Sequence, residues 1–376
     1  MPSLLEIKNL AISFSQGTKP AVRGVSFGLS AGEIVGLVGE SGSGKSLSAL
    51  SLMGLTPAAA RLDSGEILFK GRDLVKMEPA VRRRLCGVHL GMVFQEPLTA
   101  LNPVLTIGEQ LAEIYRLRAG QGRRQARESA VAMLAKVGLP NPVQAAESYP
   151  HRFSGGMRQR VVIALALALS PEIVVADEPT TALDPTIAAQ ILALLSRLTS
   201  GNDQLRPDSD ERPGPARDID GAGLLRGSAV LFITHNLRLL RGLARRVLVM
   251  YTGLVVEEAP VPDIFDRPAH PYTRGLLTAL PPSLEEAAPE RLTAIKGAPP
   301  VLGHWPPGCP FEPRCREAFE PCPKSLPPLS DLGDGRKVRC FLYSGQDAIK
   351  PGLGRDDRNS AGARRNMAPQ GRGGQC

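Results

Sequence analysis

Residues 39–46 read Gly39-Glu40-Ser41-Gly42-Ser43-Gly44-Lys45-Ser46, a G-x-x-x-x-G-K-S spacing. This stretch restricts the fold more than any other. Its glycines let backbone N–H groups turn towards phosphate, and a helix N-terminus behind them adds positive potential. Such a loop works only between a buried strand and a helix. Both are present: apolar Glu33-Ile34-Val35-Gly36-Leu37-Val38 leads in, and helix-compatible Ser46–Met53 leads out. Lys45 is placed to reach the β- and γ-phosphates of a nucleotide, and the Ser46 hydroxyl to hold Mg²⁺. An α/β domain with a mostly parallel sheet is expected around it.

Several other runs end in polar residues where such a sheet presents its ligand edge. Leu90–Phe94 reads as a strand ending at Gln95, a residue able to ligate Mg²⁺ or position water. Ile173-Val174-Val175-Ala176-Asp177-Glu178 reads as a strand that carries two carboxylates to the carboxyl edge of the sheet. Asp177 is expected to hold Mg²⁺, directly or through water, and Glu178 to polarise an attacking water. Leu183-Asp184 follows after a tight turn. Val230–Thr234 repeats the design with His235 at its tip, within reach of a γ-phosphate. Ser154-Gly155-Gly156 opens an apolar helix and forms a second anion-binding terminus. Upstream, Leu4–Phe14 alternates as a strand, and Phe14 is either an adenine-stacking aromatic or a core residue. Between 104 and 149 the apolar period is helical, a helical insertion within an α/β domain.

Composition narrows the partners. The net charge is +8, but aromatic residues make up only 4% of the 376 residues, which argues against a stacking platform for single-stranded nucleic acid. The longest apolar run, Val161–Leu169, falls short of the ~20 residues that span a bilayer. The N-terminus lacks a basic stretch followed by an apolar one, so no secretory signal is read there. The chain is expected in the cytoplasm unless partners draw it to a membrane.

Taken in order, the phosphate loop, Gln95, Ser154-Gly155-Gly156, Asp177-Glu178, Asp184 and His235 resemble the ATP-binding cassette family of transporter ATPases. Longer runs look like its dipeptide/oligopeptide importer branch, which also includes nickel importers: Phe94–Pro103, Tyr149–Arg160, His270–Pro281 and Pro307–Cys315. The resemblance implies a phosphate-loop nucleotide-binding domain with a mostly parallel core sheet, an antiparallel β subdomain and a helical subdomain, followed by a small Pro/Cys-rich extension. The expected division is 4–260 for the ATP-binding domain, with the helical part at 104–170, then 261–343 for the extension. Residues 200–227 and 344–376, rich in Gly, Asp, Pro and Arg, are expected to be a disordered insertion and tail.

The implied cofactors are ATP and Mg²⁺. Phe14 matches the adenine-stacking position, Gln95 the Mg²⁺ and γ-phosphate-sensing loop, Glu178 the catalytic base and His235 the switch histidine. The resemblance implies that Gly39, Ser41, Gly42, Gly44, Lys45, Ser46, Asp177 and Asp184 bind the nucleotide, and that Ser154, Gly155 and Gly156 bind the ATP held by the other member of a head-to-tail pair. Two departures stand out: Met157 where many cassettes have Gln, and Asn236 after His235 where Asp is usual. The second leaves the orientation of the histidine to the fold. The resemblance also implies a second ATPase, two membrane permeases, an external substrate-binding protein and a peripheral place on the cytoplasmic face of the inner membrane, with no nucleic acid. The competing reading is a soluble cassette ATPase of DNA repair or translation. It is disfavoured by a single phosphate loop and the lack of sustained heptads.

Cys309, Cys315, Cys322 and Cys340 cluster late in the chain without paired C-x-x-C spacing. Four thiolates in a Pro-rich segment suit Zn²⁺ or an iron–sulfur cluster, or stay free thiols. The resemblance leans towards iron–sulfur.

Overall fold

The strands that carry the polar tips are apolar without a break, and the structure shows why. In the computed structural model, residues 3–14, 19–181, 183–200, 227–279 and 294–344 are described, with side chains omitted at 197–200. Nearly all of the expected insertion and tail lies outside them. The chain runs β1 (Ser3–Phe14), β2 (Val22–Ser30), β3 (Ile34–Val38), α1 (Lys45–Met53), β4 (Ala60–Phe69), β5 (Arg72–Asp73), α2 (Pro79–Leu85) and β6 (Leu90–Val93). Helices α3 (Pro97–Ala100), α4 (Ile107–Ala119), α5 (Arg123–Lys136), α6 (Pro142–Ala146) and α7 (Gly155–Leu167) follow, then β7 (Ile173–Asp177) and α8 (Pro185–Ser200). The rest is β8 (Ala229–Thr234), β9 (Arg246–Tyr251), β10 (Leu254–Pro260), α9 (Val261–Asp266), α10 (Pro271–Thr278), β11 (Ser330–Gly333) and β12 (Arg336–Val338).

Two sheets form. One has the order β2-β1-β4-β5, and its pairings are antiparallel. The other has eight strands in the order β11-β12-β10-β9-β3-β8-β7-β6. From β9 to β6 its neighbours are parallel, and β10, β12 and β11 continue it in antiparallel fashion. Both faces of the parallel part are covered, so its strands are apolar throughout. On β8, Val230 and Phe232 join the core shared with α4, α5, α7 and α8, while Leu231 and Ile233 join the core shared with β1, β2 and α1. β7 splits the same way, Val174 and Ala176 against Ile173 and Val175. β1 has only one packed face, and its buried residues alternate at Leu5, Ile7, Leu10 and Ile12, with a register shift between Ile7 and Leu10.

The helical part is punctuated as its sequence directs. Thr106 and Glu109 form a reciprocal capping box at the start of α4, and Gly120 ends it in the left-handed conformation. Strands from the C-terminal region extend the core sheet: β12 pairs with β10 through Glu257–Val338 and Glu258–Lys337. Arg246 on β9 ties the two sheets, donating to Glu33, to Glu258 and to the Gly28 carbonyl.

Candidate functional site

Because β3, β6, β7, β8 and β9 run parallel, their carboxyl ends share one edge of the sheet, where α/β folds place ligands. The phosphate loop leaves β3 there. Gly39 sits against β9 so closely that a Cβ would lie 2.2 Å from the Met250 carbonyl oxygen. Gly44, the N-cap of α1, has φ +96°, open to glycine at no steric cost. Lys45 is buried and folds back on its own loop, donating to the carbonyls of Gly39 (2.8 Å) and Glu40 (3.0 Å). Burial lowers its pKa, while the carboxylates of Glu178, Asp177 and Glu40 act the other way.

Asp177 ends β7 almost fully buried and accepts a hydrogen bond from Ser46 Oγ at 3.1 Å. Burial raises its pKa and nearby Glu178 adds to this, against the Ser46 hydrogen bond and the Lys45 charge. This buried carboxylate beside a hydroxyl presents oxygen donors that could hold Mg²⁺. The next residue, Glu178, has left the strand and takes φ +46°. Its Oε2 gathers three donors: Gln95 Nε2 at 3.3 Å, Thr181 Oγ1 at 2.8 Å and His235 Nδ1 at 3.1 Å. Asn236 is an N-cap, its side chain accepting from Arg238 N at 3.0 Å. His235 meets Glu178 with Asn in that place.

The structure therefore brings together Gly39, Ser41, Gly42, Gly44, Lys45, Ser46, Asp177, Glu178, Gln95 and His235 at or beside one sheet edge. The other sequence-read residues stand apart from them. Ser154 caps α7, accepting from Met157 N at 3.4 Å, and Gly155 and Gly156 form its first turn. Among the described residues, no hydrogen bond joins that turn to the phosphate loop. Asp184 is exposed and accepts from Ile187 N at 3.0 Å in the first turn of α8. Phe14 ends β1 opposite Ala60, half-buried, and residues 15–18 beyond it are outside the described set.

Sequence reasoning missed four contributors. Thr181 holds Glu178 from three residues on, a turn contact that Glu178-Pro179-Thr180-Thr181 permits. Glu40 fills an unspecified x position of the G-x-x-x-x-G-K-S spacing, yet Arg314 grips its carboxylate through two hydrogen bonds of 2.8 and 3.0 Å. The Tyr272 hydroxyl accepts from Glu40 N at 2.9 Å. No local pattern announces these long-range partners.

Cys309, Cys315, Cys322 and Cys340 line one small cavity with His270 and Phe311. Among the described residues, no three His, Cys, Asp or Glu side chains are grouped so as to hold a single metal ion. Burial pushes the Cys315 thiol up to about 11 and the Cys340 thiol to about 12, and raises Cys309.

The comparisons with known proteins follow this geometry. The sequence pattern of the ABC transporter family matches residues 22–181, and that of the oligopeptide/dipeptide transporter C-terminal region matches 256–322. The chain is 43% identical over 351 residues to the oligopeptide transport ATP-binding protein AppD of Bacillus subtilis, covering 93% of this chain and 99% of the relative. It is 43% identical to the dipeptide transport ATP-binding protein DppD of the same organism, over 91% and 95% of the two chains. With the oligopeptide transport ATP-binding protein OppD of Escherichia coli it shares 41% identity over 90% and 93%. Among solved structures, the dimeric bacterial ABC transporter cassette MJ0796 superposes with TM-score 0.56 at 25% identity, over 68% of this chain and 98% of that one. Its post-hydrolysis dimer bound to ADP and Pi gives 0.55 at 26%.

Proposed function

This chain belongs to the ABC transporter family, as an ATP-binding subunit of the oligopeptide/dipeptide branch, and from that premise we propose that its sheet edge hydrolyses ATP to drive import of short peptides. The observation that carries this reading is the gathering of Gln95, Thr181 and His235 on one oxygen of Glu178, next to the Lys45–Ser46–Asp177 phosphate and Mg²⁺ groups.

The order of events follows from which contacts ATP must replace. The β- and γ-phosphates take Lys45 from the carbonyls of Gly39 and Glu40, and the loop N–H groups turn to them. Ser46 and Asp177, with Gln95 beside them, would hold Mg²⁺, which would supply charge neutralisation at the phosphate oxygens. Glu178 accepts a proton from the water whose oxygen attacks the γ-phosphorus, and ADP leaves with the bridging oxygen. Before that attack, on ATP binding, His235 and Gln95 exchange Glu178 for the γ-phosphate as hydrogen-bond partner, which frees Glu178 for water and makes them reporters of the phosphate's presence. Phe14 is assigned to the adenine.

Ser154-Gly155-Gly156 and Asp184 are assigned to the ATP held by a second ATPase, identical or similar. In support, among the described residues the α7 N-terminus makes no hydrogen bond to its own phosphate loop, and the similar cassette is a dimer. Among the described residues, no helix is long and apolar enough to cross a membrane, so the path is assigned to two permease subunits fed by an external substrate-binding protein. A docking place for a permease lies next to Gln95, in a groove lined by Met53, Leu90, Met92, Phe94, Ala100 and Leu165. With such a contact, the chain is assigned a peripheral position on the cytoplasmic face of the membrane.

For the cysteine pocket, the four cysteines line one cavity, and four thiols are the donor set that an iron–sulfur cluster or a single Zn²⁺ would take. Such a cluster would supply a cross-link for a segment with little core of its own. Iron and sulfide assayed against zinc in the purified protein decide between them, and neither metal leaves free thiols.

The function is tested by ATP hydrolysis of the complex purified with its membrane subunits, with and without binding protein loaded with short peptides. Peptide-dependent stimulation is expected. Stimulation by nickel alone would replace the cargo, and failure to recover any membrane subunit would overturn the transport role.

A further inference from the structure

Glu40 lies inside the phosphate loop, yet its carboxylate and its N–H are both held from the C-terminal region. Arg314 donates Nη1 to Glu40 Oε2 at 2.8 Å and Nη2 to Oε1 at 3.0 Å, a bidentate pair. The Arg314 side chain is only 6% exposed. It is aimed by the Tyr251 hydroxyl at 3.2 Å, by the Lys296 carbonyl at 3.1 Å and by the rings of Tyr251 and Phe311. The Glu40 N–H donates to the Tyr272 hydroxyl at 2.9 Å, and the Glu40 carbonyl accepts from Lys45 Nζ at 3.0 Å. Carboxylate, N–H and carbonyl are thus all engaged, and the carbonyl holds the residue that must meet phosphate.

The groups that hold Glu40 are themselves anchored. Tyr272 is fully buried and stacks at a tilt on Tyr251, with ring centroids 4.6 Å apart. Its turn is pinned to β10 by Glu257, which accepts from Ala269 N at 2.7 Å and His270 N at 2.9 Å. Arg314 closes a 3₁₀ turn directly before Cys315, in the loop that begins at Cys309, and Cys309 N donates to the Cys322 carbonyl at 2.8 Å. The arm that carries Arg314 is therefore built on the four-cysteine pocket. A phosphate loop binds through backbone N–H groups of set direction. One that is ordered before nucleotide arrives loses less freedom on binding.

We propose that Arg314 and Tyr272 are positioning residues for the nucleotide site: they brace Glu40, so the C-terminal region sets the affinity of the phosphate loop for MgATP, and the cysteine pocket acts on that loop through Arg314. The proposal rests on the ATP-binding reading above. It gives the His270-Pro271-Tyr272 turn and the Arg between Cys309 and Cys315 a shared task. His270 caps the helix, Pro271 starts it, and Tyr272 delivers a hydroxyl to the loop.

The test is equilibrium titration of the full-length chain with MgATP, together with turnover at saturating MgATP. Arg314→Met and Tyr272→Phe are each expected to weaken MgATP binding by about tenfold, the scale of one charge-assisted or buried hydrogen-bonded contact, with turnover at saturation changed far less. Glu40→Gln with Arg314→Met should bind no more weakly than the worse single variant, because both break one contact. Cys315→Ser should weaken binding in the unmodified chain and be silent once Arg314 is Met. If Arg314→Met fails to fold, Arg314→Lys and Tyr272→Phe carry the same test, since each keeps most of the packing. Variants that melt like the unmodified chain and bind MgATP equally well would overturn the brace, as would additive losses for Glu40 and Arg314. An equal effect of Cys315→Ser in both backgrounds would overturn the cysteine arm. Failure of the unmodified chain to bind MgATP would instead overturn the nucleotide-site reading, and the brace with it.

Discussion

Glu178 and Asp177 are neighbours with opposite burdens. Asp177 is the last residue of β7 and buried, whereas Glu178 turns out of the strand at φ +46° and its N–H bonds the Ile233 carbonyl at 3.0 Å. The turn sends one carboxylate to Ser46 and the other to Gln95, Thr181 and His235. Glu178→Gln is expected to lower hydrolysis by about 10²- to 10⁴-fold, the usual worth of a general base, with MgATP binding retained in an equilibrium titration. For Asp177 the sign runs through burial. Its pKa is raised in the fold, so the stability it contributes is present below the unfolded pKa and lost as pH rises through the folded one. At neutral pH the ionised carboxylate costs stability until a cation arrives. Asp177→Asn should raise the melting temperature of the nucleotide-free chain and abolish the further rise that Mg²⁺ and ATP give the unmodified one. At this scale much was legible, because Gly44, Lys45 and Ser46 are neighbours in one run. Thr181 was not, because a hydroxyl three residues after a carboxylate is a common turn and acquires meaning only when Gln95 and His235 arrive at the same oxygen.

Helix α10 shows how a short element can carry a pH response. His270 is its N-cap, with Nδ1 accepting from Tyr272 N at 3.0 Å. Burial, aided by the charge of Arg274, depresses its pKa from 6.5 to about 3. The unfolded chain takes up this proton near 6.5, so stability present above that value is lost as pH falls towards 3. Between pH 7 and 5 the loss amounts to about 2 kcal/mol. Glu257, whose pKa burial raises, runs the other way. The clean comparison is therefore His270→Asn, which keeps a capping oxygen and carries no proton. Its urea midpoint is expected to fall less between pH 7 and 5 than that of the unmodified chain. The sequence marked this helix only by resemblance; that the cap is a histidine held neutral follows from the packing of Phe311 and β10 around it. By contrast the N-cap of α7 was readable outright, since Ser154 before two glycines and an apolar run is a local signal.

Within the whole molecule, the Ser154 turn opens α7 and the phosphate loop opens α1. In the proposed head-to-tail pair, the turn of one chain would complete the site at the loop of the other. Glu178→Gln with ATP should sediment as a dimer and return to monomer with ADP. Adding Ser154→Arg should keep it monomeric with ATP, while leaving the melting temperature of the nucleotide-free chain unchanged within a few degrees. The sheet that carries the site also carries the C-terminal region, because β12 pairs with β10 and Arg314 reaches back 274 residues to Glu40. The sequence by itself marked the candidates for phosphate contact, since the phosphate loop, the Asp177-Glu178 tip and the Ser154 turn are contiguous runs whose chemistry is local. Only the tertiary structure decided which strand tips share an edge, that residues 83 and 57 positions from Glu178 converge on one oxygen, and that the C-terminal region grips the phosphate loop. Strand order and long-range side-chain pairs come from packing two cores against one sheet, and no short window of sequence contains that packing.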